Sequence, residues 1–368
     1  MRQIIPLLVL IIFLGILIGA NIYLSKRFSW YFGLTNVKIL YFSFAAITIF
    51  MIAGLIVFTN ATGNFANFVY SAAAITMGFM LYLLLSVLFV DLVHLIIKLP
   101  LKTMGSAAIL LALVISVYGI WNATQKRVRK IEVSMNGLQH EIRAMHLTDI
   151  HIGHFWGVKT LQKIVDKTNE QNPDVVFITG DLFDGKIRLN KASLEPLKQL
   201  HAPIYFVEGN HDGYSGAKEI KQKLREAGVT VLENEVTHFS ELQIIGLNHM
   251  VADNQSVDMH ANGGRSNIKN TLNSLNLFPG KPTVLLHHSP DGIKYANQHG
   301  VDLYLAGHTH AGQLFPIKYI AKLIFDYNKG LHDYNGTKIY VSQGAGTFGP
   351  PMRVGTISEL TLLKLKPQ

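Results

Sequence analysis

Between Asp149 and His310 the chain carries five short runs of acids, histidines and one asparagine: Asp149-Ile150-His151, Gly180-Asp181, Gly209-Asn210-His211-Asp212, His287-His288 and Gly307-His308-Thr309-His310. Side chains of this kind hold hard or borderline divalent ions. An Asp-x-His pair at a strand end sends both side chains to one side of the pleat, so Asp149 and His151 can chelate one cation. Asp181, with two oxygens, suits a bridge between two cations about 3.5–4 Å apart. Asn210 offers the second ion a neutral oxygen, which limits negative charge and leaves the metals electrophilic. His308 and either His287 or His288 complete the second ion's set, and His310 completes the first. His211 then faces the substrate, and Asp184 can orient it and keep it protonated as a general acid. The chemistry such a set serves is attack on phosphorus by a metal-bound hydroxide, formed at near-neutral pH.

Each run by itself is weak evidence. An Asp after a strand is commonly a turn residue, and a His in a glycine-rich turn is commonly a surface residue. Five such runs in order, each at the end of an apolar stretch, make independent coincidence untenable. The stretches are Met145 to Leu147, Val175 to Thr179, Ile204 to Val207, Val284 to Leu286 and Leu303 to Ala306, all reading as buried strands. Amphipathic helical segments alternate with them at Lys159 to Asn172, Asn190 to Leu200 and Ala217 to Ala227, the last closed by Gly228. This alternation predicts an α/β domain with its site at the C-terminal edge of the strands. Residues 248–276, rich in Asn, Gly, Ser and His, read as a long loop with one helix near Ile268 to Leu277.

Of the 368 residues, 49% are hydrophobic, and the excess lies at the front. Apolar stretches at about 4–24, 39–59, 69–97 and 106–121 are each long enough to cross a hydrocarbon layer of about 30 Å, which predicts four transmembrane helices. The expected division is a membrane region over 1–125, a basic collar and first strand over 126–141, and the metal-binding domain over 142–368. Lys26, Arg27, Lys38, Lys98 and Lys102 balance Arg2, Lys126, Arg127, Arg129 and Lys130, so the charge rule leaves the orientation open. Asp91 and His94 share a helix face near the end of the third stretch, beside Lys98, and read as interfacial. The absence of cysteine excludes disulfides and thiolate metal sites. A net charge of +9, scattered along the chain, reads as a solvated surface, and no nucleic-acid partner is expected.

The ordered set D-x-H, G-D-x-x-D, G-N-H-D, H-H and G-H-T-H resembles the calcineurin-like metallophosphoesterase superfamily over roughly Ile142 to Leu365. The tail, from Tyr340 to Thr347 and then Pro351-Met352-Arg353, is similar to the bacterial membrane-associated YkuE/YaeI-like branch. The resemblance implies a four-layer αββα sandwich with a binuclear centre of Mn, Fe or Zn. It implies Asp149, His151, Asp181 and His310 on one metal, and Asp181, Asn210, His308 and one of His287/His288 on the other. The run His288-Ser289-Pro290-Asp291 favours His288, with His287 the alternative ligand. Protein phosphatases of the superfamily carry Arg and Glu where Gly185 and Asp212 stand, so the resemblance speaks against that activity. Gln343 stands where the branch implies an Arg, and Arg353 is the candidate to contact substrate phosphate in its place.

These readings lead to a multi-pass, membrane-anchored phosphoesterase that cleaves a phosphodiester or pyrophosphate linkage, with a lipid-linked substrate as the first expectation. The resemblance leans toward an extracytoplasmic catalytic domain. One alternative is a tethered phosphomonoesterase or cyclic-nucleotide phosphodiesterase. Another, of a different class, is a transport or sensory protein with a regulatory metal-binding domain.

Overall fold

The computed structural model describes residues 4–185, 191–256 and 266–368. The chain divides into two compact units, residues 1–121 with 349–352, and residues 122–348 with 353–368.

The first unit is built from α1 (Ile4–Phe32), α2 (Val37–Phe58), α3 (Asn64–Ile96) and the body of α4 (Leu101–Thr124). All four are long and apolar enough to cross a membrane. Their exposed faces are as apolar as their buried ones, which in water would be untenable and in lipid is required. Small residues set the approach of α2 and α3, since a Cβ at Gly54 would stand 2.6 Å from Ala73 Cβ. The helix α1 continues beyond the expected end near Leu24 because the charge of Arg27 is met: its Nε lies 2.5 Å from Asp91 Oδ2 on α3. Tyr23 and Tyr31 donate to the same carboxylate. Asp91, expected as an interfacial residue, is thus a hub joining α1 to α3, and His94 packs edge-on to Trp30 with ring centroids 5.8 Å apart.

The second unit begins with β1 (Lys126–Met135), β2 (Ile142–Leu147), α5 (Val158–Asn169), β3 (Val175–Thr179), α6 (Lys191–Leu194), β4 (Ile204–Val207), α7 (Asn210–Glu226) and β5 (Thr230–Val231). It continues with β6 (Glu235–Phe239), β7 (Leu242–Gly246), α8 (Ile268–Ser274), β8 (Thr283–Leu286), α9 (Ile293–Gln298) and β9 (Leu303–Ala306). Last come α10 (Ile317–Ile324), β10 (Gly330–Tyr334), β11 (Thr337–Val341) and β12 (Ser358–Pro367). The strands form two six-stranded sheets, ordered β1-β12-β2-β3-β4-β5 and β10-β11-β9-β8-β7-β6. Both are mixed: β2-β3-β4-β5 and β11-β9-β8-β7 run parallel within them.

Strand periodicity explains the layering. Val176 and Ile178 of β3 point to a core under α5 and α7, whereas Val175 and Phe177 point to a second core shared with Ile244, Val284, Leu286, Leu303 and Leu305 of the other sheet. Ile245, Leu285 and Tyr304 face a third core under α8 and α9. The result is the expected αββα order. The helix expected over 190–200 is not continuous: Asn190 lies outside the described residues, and after α6 a 3₁₀ turn spans Glu195–Gln199, with Pro196 near its start. The helix α7 begins at Asn210 rather than Ala217, and Gly216, with φ 107°, breaks it. Of the 248–276 loop, residues 257–265 lie outside the described residues, and α8 occupies the expected helical part.

Candidate metal centre

Every site residue singled out from the five sequence runs follows a strand directly, or by a few residues in a loop. Asp149, His151, Asp181, His308 and His310 all take positive φ, from 47° to 69°, in the left-handed region that non-glycine residues rarely adopt. Such strain collects where surrounding structure over-determines a functional geometry. Backbone bonds supply that constraint: Asp149 N donates to Gly180 O, His151 N to Asp181 O, and His308 N to both oxygens of Asp149. Two glycines make room. A Cβ at Gly307 would lie 2.2 Å from Asp149 Oδ2, and one at Gly180 would lie 2.5 Å from Gly209 N.

Three groups of donors result among the described residues, the third being His151 with Asp184 and His211. In the first, Asp149, His151 and His310 bring ligand atoms within 4.8 Å of one another. His151 Nε2 faces His310 Nε2 at 3.0 Å, and His310 Nε2 lies 3.4 Å from Asp149 Oδ1. In the second, Asp181, His288 and His308 do the same, with His308 Nδ1 facing His288 Nε2 at 3.2 Å. Asp181 Oδ2 stands between these two groups, 3.1 Å from His288 Nε2 and 3.8 Å from His151 Nε2. Paired imidazole nitrogens with an acid between them are what a cation needs on its flanks. Asn210 Oδ1 is buried with no hydrogen-bond partner, an acceptor left open at a cost unless an ion meets it. The donor set thus fits divalent metal.

The two consecutive histidines after β8 part company. His287 Nδ1 meets Ser289 O at 2.8 Å and Tyr304 Oη at 2.9 Å, while its Nε2 accepts from Met250 N at 3.3 Å, so both nitrogens are taken. His288 Nδ1 lies 2.8 Å from Thr179 O, which can only accept, leaving Nε2 free for the centre.

Electrostatics sort the remaining groups. Burial, then the charge of His211, holds His151 down to about 4, and burial keeps His310 well below its usual value, so both present neutral nitrogens. Burial pushes Asp149 up to about 6 against the pull of His288. His211 behaves oppositely: burial works against its charge, but the hydrogen bond to Asp184 and the charges of Asp181 and Asp184 raise it to about 9. Its Nδ1 is 3.0 Å from Asp184 Oδ1, and its backbone N donates to Asp181 Oδ1 at 2.9 Å. Phe348 and Tyr214, both half-exposed, stand against the His211 ring at 5.2 and 5.9 Å and form an aromatic rim.

One expectation needs correcting. Arg353, the candidate phosphate contact, is fully buried, and burial lowers it to about 10. Its guanidinium donates to the carbonyls of Gln343, Gly344, Gly346 and His310, so it braces the loop behind the centre. Gln343, where an Arg was implied, is spent on Glu359. Two further residues stand at the centre, Asp212 of the third run and His249. Asp212 accepts from Gly209 N and Phe183 N and ties two site loops together. His249, buried after β7, stacks on His287 with rings 5.9 Å apart and packs against His288 and His308. Its signal was available, since it too follows an apolar strand.

Residues 142–312 match the family model of the calcineurin-like phosphoesterases. An uncharacterized metallophosphoesterase of Aquifex aeolicus is 30% identical over 270 residues, which cover 70% of this chain and 98% of that one. The chain belongs to this family. A Helicobacter pylori metallophosphoesterase is 34% identical over 246 residues, 66% of this chain and 64% of the relative. A zebrafish (Danio rerio) transmembrane protein with a metallophosphoesterase domain is 35% identical over 278 residues, 70% of this chain and 62% of its own length. The chain thus spans somewhat under two thirds of these two relatives. As a metallophosphoesterase, it carries these strand-end donors on a unit that follows four membrane-length helices.

Proposed function

We propose that this metallophosphoesterase hydrolyses a phosphodiester or pyrophosphate linkage, in a lipid-linked substrate, with two divalent ions. The observation that carries the reading is the pairing of donors about Asp181: His151 with His310, and His288 with His308, each at about 3 Å. Asp149, His151, Asp181 and His310 would hold one ion; Asp181, Asn210, His288 and His308 would hold the other. Bound there, the ions would activate water and neutralise phosphate charge. Asp181 also fixes the backbone of His211 through its other oxygen. His211, kept protonated by Asp184, gives its proton to the leaving oxygen. The rim of Phe348 and Tyr214 shields that proton from bulk water. Mn, Fe and Zn suit these ligands alike.

The test is hydrolysis by the purified full-length protein in detergent, with Mn added or EDTA present. A generic phosphodiester, a phosphomonoester and a lipid-linked pyrophosphate are compared, with Asp181→Asn as control. Metal-dependent turnover of diester or pyrophosphate, lost in the variant, supports the proposal. Preference for the monoester supports the tethered phosphomonoesterase instead, and bound metal without turnover supports a regulatory domain.

A further inference from the structure

A surface helix of a globular unit buries its apolar stripe and shows its charges to water. The helix α5 obeys, placing Leu161, Ile164 and Val165 in the core. The helix α10 does the reverse. Along Ile317–Ile324 only Ala321 is buried, while Ile317, Tyr319, Ile320, Leu323 and Ile324 are exposed, Leu323 by 87% and Ile324 by 69%. At about 100° per residue these five fall on a single arc of roughly 160°. Lys318 and Lys322 lie together outside that arc, Lys318 Nζ being 5.1 Å from the Tyr319 ring centroid. Phe315 extends the patch, its ring 5.9 Å from that of Tyr319, and the residue after α10, Phe325, sets its ring 5.8 Å from that of His308. An apolar patch of this kind marks an interaction surface.

We propose that α10 is an interfacial helix that seats in the surface of the bilayer beside the metal centre, so that the centre takes phosphate esters of lipids. The same chain carries four helices of membrane-spanning length, so a bilayer is an apolar phase to which the chain is itself tethered. Lys318, Lys322 and the nearby Lys329 suit anionic headgroups, as on other helices that lie in the membrane plane. The substrate class rests on the function proposed above; the seating of the helix does not.

The chain has no cysteine, so single labels can be placed at will. Full-length Leu323→Cys and Lys198→Cys proteins, each carrying bimane, are reconstituted into phosphatidylethanolamine/phosphatidylglycerol vesicles. Nitroxide on the lipid acyl chain should quench the label at 323 at least about threefold more than that at 198, and aqueous iodide should do the opposite. Equal access of iodide to both overturns the seating. Shielding of position 323 from both quenchers also overturns it, in favour of a second copy or another protein. Ile320→Asp with Leu323→Asp should lower, about tenfold, the ratio of turnover on a vesicle lipid phosphodiester to that on soluble bis(4-nitrophenyl) phosphate. An unchanged ratio overturns lipid presentation. Lipid quenching without hydrolysis of any phosphodiester or pyrophosphate overturns the proposed function while the seating stands.

Discussion

The two sheets bring different chemistry to the centre. Loops after β2 and β3 and the first turn of α7 after β4 supply all of its acids, Asp149, Asp181, Asp184 and Asp212, together with Asn210. Loops after β7, β8 and β9 supply imidazoles, those of His249, His288, His308 and His310. The first two donor groups draw on both sheets: His310 joins Asp149 and His151, and His288 and His308 join Asp181. The acids are therefore concentrated on one side of the seam, and the other side supplies imidazole nitrogen alone. A cation placed between them would satisfy buried acids and tie the sheets together, so metal should matter to stability as well as to turnover.

Metal removal tests that contrast most severely. EDTA should abolish turnover and lower the melting temperature of the second unit by several degrees, since ligand at about 100 times its Kd contributes about 2.7 kcal/mol. Calorimetry before and after metal return checks this; an unchanged melting temperature would mean the sheets hold without a cation. Next comes Asp181→Asn, which removes the acid placed between the groups. Turnover should fall at least about a thousandfold, about 4 kcal/mol of barrier, and elemental analysis should find both metals depleted. If only one metal were lost, Asp181 would belong to one group and not bridge.

The adjacent histidines sharpen the comparison within one sheet. His288→Ala should lower turnover about a hundredfold and cut metal content, because its Nε2 is the nitrogen aimed at Asp181. His287→Ala should leave metal content intact and cost about 1–3 kcal/mol of stability, as the polar cluster of Ser289, Tyr304 and Met250 loses its centre. Metal analysis and thermal denaturation of the pair separate the two roles.

What the sequence disclosed follows the range of its signals. Strand runs such as Val175 to Thr179 are pure in composition and end on a turn, so the strands and the residues after them could be read directly. The choice between His287 and His288 could not be derived from spacing, because it depends on which face of β8 each side chain takes and on Thr179 from another strand. The burial of Arg353 was invisible for the same reason: its partners at Gln343, Gly344, Gly346 and His310 converge only in the fold. The helix α10 was missed although its pattern is strongly periodic, since a pattern of apolar residues does not say whether they face the core or the solvent.

The smallest expected effect concerns the acid, and it isolates the first sheet's second task, which is to charge a histidine rather than to hold a metal. His211 sits above its usual range because Asp184 and Asp181 outweigh the cost of burying its charge. In the metal-free chain its proton should leave near pH 9, as followed by histidine NMR. The folded value exceeds the unfolded one, about 6.5, so the stabilisation is complete below pH 6.5 and is lost as pH rises through about 9. Asp184→Asn removes one charge and weakens the hydrogen bond, so the titration should move down toward the ordinary histidine range. Turnover on an ester with a poor leaving group should fall about tenfold to a hundredfold, its basic limb shifting to lower pH, while an activated 4-nitrophenyl ester needs less protonation and should lose less. Metal content should stay unchanged, because Asp184 is spent on His211 at 3.0 Å and is not among the donors assigned to either ion. Equal losses on both esters would make Asp184 a support for the loop and would leave the source of the leaving-group proton to water.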